Sequence, residues 1–388
     1  MMNTIKPIAK IQAGQFNSFL ISDGSLLSRG NNTKGQLGLG ADATYGFTPV
    51  VIALQDGEVI VRVAPAQSHT FLLTSYCRLF SCGDNTYGQL GPRSHQSRDV
   101  CIRTFTLVTP WLQQGEEVVN VAAGYRRTFI VTSHNRVMGC GAVNKNNDDR
   151  FGREALATFN YISVKGLNPN ERIIEITAYH EHVFLLTEQG RLFGYGTNQY
   201  GELGLGDKLP RNHFVFICEG VSKVAAGFHA TIILRTDGQL LGCGYNSHGA
   251  LGLDHKENRD RFERIRRDQL PEGDHVEQIT LGHSHALILT KQGSLLACGA
   301  NHAGQLGLGD YFSRTKFTLV RLPDDERIIQ VSAGNSHTLI LSKNQNLLGC
   351  GSNGYNQLKL TLPFPLEVNN TFEQLRPLFF SPSETSSS

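Results

Sequence analysis

The sequence predicts an all-β protein, a seven-bladed β-propeller of four-stranded blades. Three observations lead there: a surplus of glycine, a phrase that returns at near-constant spacing, and apolar runs of strand length between the returns. Glycine supplies 41 of the 388 residues, about half as much again as the ~7% usual in globular chains. Helix interiors lose roughly 1 kcal/mol for each Gly in place of Ala, whereas short strands joined by tight turns use it freely.

The phrase is GQLGLG at 35–40 and again at 304–309, with GELGLG at 201–206. The full unit is a small pair ending in Gly, a polar turn often ending in His, an apolar strand, a turn, a second strand, and G-x-N-x-x-G-Q-L-G. The Gly that opens G-x-N marks copies at Gly30, Gly83, Gly141, Gly196, Gly244, Gly299 and Gly351, 48 to 58 residues apart. Runs such as FLLT, FIVT, IILR and LILS have the length and composition of buried strands, and RLF, QLL and SLL open the next strand. FTPVVIAL (47–54), HFVFICEG (213–220) and KFTLVRLP (316–323) add a third. Stretches such as RIIQVSAG add a fourth.

Seven such units fit a propeller. The first unit starts at IAKIQAG with no outer strand before it, and PFPLEV (363–368) follows the last. A C-terminal strand is therefore expected to complete the blade that the N-terminus opens, closing the ring and removing exposed edges. One propeller over 1–370 is expected, with a C-terminal tail over 371–388 whose SPSETSSS end reads as disordered.

The glycine phrase could instead cradle a phosphate. That chemistry needs a helix N-terminus directly after the loop, and no copy is followed by a helical pattern. It reads as a turn.

Composition excludes other classes. Lys and Arg number 36 against 34 Asp and Glu, a net +2, too small a surplus for a protein that coats nucleic acid. No apolar run approaches the ~20 residues of a membrane span. The start, MMNTIKPIAK, carries neither a secretory signal nor a basic nuclear address. The expectation is a cytoplasmic monomer with no membrane partner, no direct nucleic-acid contact and no cofactor.

Candidate chemistry dissolves into the repeat. His180 with His182, and His283 with His285, stand at i, i+2 and could share a metal. However, His69, His182, His285 and His337 fill one slot of the repeat, as structural histidines expected to hydrogen-bond the turn. Cys82, Cys140, Cys243, Cys298 and Cys350 all precede the Gly of G-x-N, which makes them small buried thiols on separate blades. No nucleophile–base pair stands apart. The segment HKENRDRFERIRRD (255–268) carries five arginines and reads as a solvated loop, with contact to an acidic partner as the sharper alternative.

The third unit breaks the pattern. After Gly141 the chain reads AVNKNNDDRFGREAL, and the repeat gives no reason for Asn144, Lys145, Asn146, Asn147, Asp148, Asp149 and Arg150 in succession. Such a run belongs on an exposed projection. A tolerated insertion is the plain reading and a functional loop the sharp one.

With seven units of the type AGxxHxxxLxxxGxxxxxGxNxxGQLG, the third broken after Gly141, the chain resembles the regulator of chromosome condensation repeat family from about residue 8 to 368. The resemblance implies a seven-bladed propeller. It implies several functions, since the family includes exchange factors, ubiquitin-ligase modules, a plant ultraviolet sensor and scaffolds. The sensor depends on clustered tryptophans, and this chain has only Trp111. Exchange-active members carry a third-blade wedge reading roughly GSFRDNNG, to which GAVNKNND (141–148) is similar, with Gly141, Asn146 and Asn147 matching. In the family that wedge presses into the small GTPase Ran and speeds nucleotide release.

The resemblance thus implies GTPase binding through 144–150, flanked by Tyr125, Arg126, Glu181 and His283. Departures are Tyr125 where the family has Asp, Asn144 and Lys145 where the wedge has Arg and Asp, and Ser284 where a sixth-blade His stands, with His283 and His285 on either side. The function implied is a non-enzymatic exchange factor for a small GTPase, Ran first. The alternatives are a protein-binding propeller without exchange activity, or a bacterial effector acting on a host GTPase in the cytosol.

Overall fold

The computed structural model describes residues 10–22, 24–40, 46–92, 100–142, 158–266, 268, 270, 272–322, 326–358 and 368–375. Strands β1–β28 follow in chain order and form seven antiparallel four-stranded sheets, the blades of a propeller. Among the described residues there is no helix. The strand that leads into each Ala-Gly lies innermost, and the one after each G-x-N turn lies outermost.

The Asn of G-x-N explains the phrase. Its side-chain oxygen accepts the main-chain N–H of the Leu in G-Q-L-G, at 3.0 Å from Asn32 to Leu37 and 2.8 Å from Asn198 to Leu203. The same bond recurs from Asn85, Asn246, Asn301 and Asn353. The last Gly of G-Q-L-G is left-handed, φ +75° at Gly38. A Cβ there would stand 2.4 Å from the ring of Phe105, on the next blade. Gly91, Gly204, Gly252 and Gly307 receive Phe159, Phe262, Phe317 and Phe372 in the same way. The glycine phrase is a turn, and it is also the socket for the following blade.

A hydroxyl one residue into the second strand of a blade donates to the carbonyl of the preceding blade's G-Q-L-G turn. Ser18 reaches Gln357, Thr70 reaches Gln36, Thr128 reaches Gln89 and Thr338 reaches Gln305, at 2.7–2.9 Å. The repeat histidines complete this clasp. His69 Nε2 lies 2.9 Å from Thr128 Oγ1, His285 Nε2 lies 3.1 Å from Thr338 Oγ1, and His337 Nε2 lies 3.4 Å from Ser18 Oγ. Because the hydroxyl proton goes to the carbonyl, the imidazole donates to the hydroxyl oxygen. These histidines are structural, but their partner is the next blade and not the turn. Among the described residues, neither ring nitrogen of His182 finds a hydrogen-bond partner.

Closure also differs from expectation in one respect. β28 (Val368–Gln374) pairs with β27 (Leu347–Ser352), and β1 (Lys10–Ala13) pairs with β2 (Asn17–Ser22), so every blade is contiguous in the chain. Seven complete units leave no strand over to lend. The ring closes where β1 lies against β25 (Ile328–Ala333). Ile11 N–H donates to Gln330 Oε1 at 2.9 Å, Gln330 Nε2 returns a bond to Ile11 O at 3.0 Å, and Ala13 N–H donates to Ser332 Oγ at 2.8 Å. Ile11, Ala13, Leu20, Leu339, Leu341, Leu358 and Leu375 pack as one apolar cluster across this seam.

Ser332→Ala removes the acceptor of a buried N–H at that seam. It is expected to lower stability by about 1–3 kcal/mol, read as a shifted urea midpoint with an unchanged slope.

Burial holds His69, His182 and His337 down to about 4 and His285 to about 3. The free imidazole value is near 6.5, so on acidification the unfolded chain takes up protons first. Stability is expected to be flat above about pH 6.5 and to fall as pH drops from there to about 4. Carboxylates held low by arginines, such as Glu116, add their own loss only at lower pH. Melting temperatures measured across this range check it, and His337→Gln should show the shallower slope.

Candidate functional site

The inner strands surround a central channel with a cavity of about 390 Å³. At one end of it sit the turns that follow Ala-Gly in each blade. Main-chain bonds link neighbouring turns: Tyr125 N–H to His180 O at 2.6 Å, His283 N–H to Asn335 O at 3.2 Å, and Asn335 N–H to Gln15 O at 2.9 Å. The residue after the Gly position therefore has a fixed place at the channel mouth. Around the ring it is Gln15, Gln67, Tyr125, His180, Phe228, His283 and Asn335. Blades three to six place rings there and the others place amides.

The rings touch in series. Tyr125 stacks on His180 with centroids 5.0 Å apart, His180 meets Phe228 edge-on at 4.5 Å, and Phe228 stacks on His283 at 3.9 Å. The arc extends past Tyr125 through Arg126, whose guanidinium lies 4.7 Å over Tyr125 and 4.4 Å over Tyr87. A branch runs from Phe228 to His229 and on to Tyr200 and Tyr245. Two of its members, His180 and His229, hold left-handed backbones, φ +53° and +56°. Histidine tolerates this better than most residues, yet it stores of order 1 kcal/mol of strain, and both lie at the mouth.

The arc is electrically quiet. Burial, reinforced by neighbouring imidazoles, drives His180 down to about 3 and His283 to about 4. Both are neutral near pH 7. Beneath them Glu202 stands where blades one, two, six and seven have Gln and blade five has Ala250, wholly buried, with Oε1 2.8 Å from His229 Nδ1. Burial opposes its ionisation, but the bond from His229 and the imidazoles of His182 and His229 outweigh that and keep the carboxyl below its ordinary value. No group of three or more metal-ligating side chains forms among the described residues, so the i, i+2 histidine pairs do not converge on an ion site.

Of the residues the sequence marks out, Tyr125, Arg126 and His283 belong to the arc. Glu181 is half-buried beside His180, and its carbonyl accepts Thr197 N–H at 3.1 Å. Residues 144–150 lie outside the described residues. Their root is described: Ala142 N–H donates to Arg126 O at 2.9 Å, and Arg127 Nε–H donates to Ala142 O. Ala142, the last described residue before that segment, therefore lies at the same end of the ring as the arc.

Sequence reasoning weighed His180 only as half of a metal pair and missed Phe228, His229, Tyr87 and Glu202. The signal lay in the column after the Gly position, read across blades rather than along the chain. A second signal lay in the fourth blade. Val183 fills the place of the clasp hydroxyl beside the deviant third unit, as Ala286 does in the sixth blade.

A family model described as the RCC1-like domain matches residues 106–374, and one for the regulator of chromosome condensation (RCC1) repeat matches residues 23–73. The chain belongs to the RCC1-like family. The ultraviolet-B receptor UVR8 of Arabidopsis thaliana is 31% identical over 354 residues, 89% of this chain and 77% of the receptor. A secretion-regulating guanine nucleotide exchange factor of Bos taurus is 37% identical over 203 residues, 50% of this chain but only 42% of that protein. Yeast RCC1 (Prp20), solved bound to Kap60, superposes with a TM-score of 0.78 at 20% identity, over 97% of this chain and 86% of that one. That likeness is one of fold.

Arg126 contributes to the arc chiefly by contacts with ring faces on a half-exposed surface, where such contacts carry up to about 1 kcal/mol. Arg126→Ala is expected to melt within a few degrees of the parent by circular dichroism, which makes it a clean probe of partner binding.

Proposed function

We propose that this chain binds a small GTPase across the channel mouth and promotes release of its guanine nucleotide through the third-blade segment 144–150. The observation that carries the reading is a coincidence of place: the one unit that abandons the repeat phrase is rooted on Arg126, in the arc. An exchange factor needs no covalent chemistry. It must bind the nucleotide-free GTPase better than the loaded one, and that difference sets how far release is driven. A ring clasped at its seams can hold a short polar loop against a partner while the partner yields. Ran is the first candidate and the cytoplasm the place of action, whether of the producing cell or of a host. The bovine relative named for exchange supports the class of activity.

A second reading is a docking propeller without exchange activity. The arc favours it, because its rings run across blades three to six without recourse to 144–150. Release of a fluorescent GDP analogue from purified Ran, with other small GTPases alongside, separates the two. The expected result is faster release with catalytic amounts of the chain, abolished by deleting 144–150 and weakened by Arg126→Ala. Binding without acceleration, unaffected by the deletion, would leave the docking reading.

A further inference from the structure

The arginine-rich segment 255–268 contains an edge strand at its centre and is not wholly a free loop. β20 (Arg259–Arg264) is the outermost strand of the fifth blade, paired with β19 (Leu240–Gly244). Comparison with its neighbours shows what is unusual. In blades four, five and six the residue opposite the Gly of G-x-N is arginine: Arg211, Arg259 and Arg314. In blades four and six an aspartate four residues earlier neutralises it, Arg211 to Asp207 at 2.6 Å and Arg314 to Asp310 at 2.5 Å. Blade five has His255 in the aspartate's place, its carbonyl held by Asn246 as Asn198 holds Asp207 and Asn301 holds Asp310.

Arg259 consequently draws on the strand's own acids. It pairs with Glu257 at 2.9 Å and with Glu263, and lies 3.0 Å from His255 Nε2. Those carboxylates are committed. Arg261, Arg264 and Arg266 are exposed and have no ion-pair partner among the described residues. Lys256 is exposed beside them. Asp260 is half-buried, its carbonyl accepting Gly206 N–H at 2.7 Å. The Arg261 guanidinium lies over Gly206, against the fourth-blade turn. Leu209, three residues on and so within about 11 Å of Gly206, is 65% exposed.

We infer that this rim of blades four and five docks an acidic, extended polypeptide segment of a partner protein, its carboxylates on Arg261, Arg264 and Arg266 and an apolar side chain against Leu209. Guanidinium forks suit carboxylates in pairs. From Arg261 to Arg266, along the strand and the two residues after it, an extended chain covers at most roughly 17 Å, the reach of about five extended residues. Nucleic acid fits less well: the chain's net charge is only +2, and three phosphate contacts give weak, strongly salt-dependent binding. The inference does not rest on the exchange reading, since the patch is on the outer strand and the arc is at the channel mouth.

The test is fluorescence anisotropy with a labelled peptide of alternating Asp and Ser around a central Leu. A Ser/Asn peptide of the same length and a single-stranded oligonucleotide of equal charge run beside it. The parent is expected to bind the acidic peptide saturably, more weakly as salt rises. Arg261→Gln/Arg264→Gln/Arg266→Gln should lose at least about tenfold in affinity while melting as the parent does, with a smaller loss for Arg264→Gln alone. Arg103→Gln, on the outer strand of blade two, should change nothing. Equal binding by the triple variant, preference for the oligonucleotide, or no saturable binding would each overturn the inference.

Discussion

The clasp between blades is the interaction on which the rest of this structure depends. A blade on its own is a four-stranded sheet with two faces to cover, and only its neighbours can cover them. The hydroxyl-to-carbonyl bond, with imidazole behind it, fixes how far one blade turns relative to the last. The Phe seated on a left-handed Gly sets the same relation nearer the rim. Both are buried, so an error in either leaves an unpaired polar group or a void, and both costs are steep. The hydroxyl bond recurs from Ser18, Thr70, Thr128, Thr231 and Thr338, while Val183 and Ala286 fill its place in blades four and six, and the ring closes without any shared strand.

That rigidity gives the channel mouth its meaning. Turns tied to one another by main-chain bonds cannot rearrange independently, so the aromatic and imidazole groups they carry form a prearranged surface. Such a surface loses little freedom when a partner arrives. Neutral histidines keep it free of mutual charge repulsion, and the strain held at His180 and His229 shows that their placement is imposed by the surrounding packing.

The fold was legible because the repeat is long, regular and punctuated by residues with strict backbone demands. Spacing along the chain marks the turns, and alternation of apolar runs marks the strands. Relations between blades were less legible. The partner of His69 is Thr128, 59 residues away, and nothing local to His69 names it. The arc escaped for the same reason: Phe228 and His283 are ordinary in their own turns and notable only side by side. Tyr125, Arg126 and His283 came from family resemblance, and the geometry gave them neighbours. The arginine segment was read as a loop because charge dominates its composition, yet Phe262 and Ile265 carry enough apolar character to seat an edge strand.

Contiguous blades have one more consequence. No sheet borrows a strand from the far end of the chain, and the junction of blades seven and one carries the same hydroxyl-to-carbonyl bond as that of blades six and seven. New termini introduced between any two blades would cut a connection and leave every sheet whole. The order in which the chain visits its blades is thus nearly arbitrary to the finished ring, as befits an architecture grown by copying a single unit.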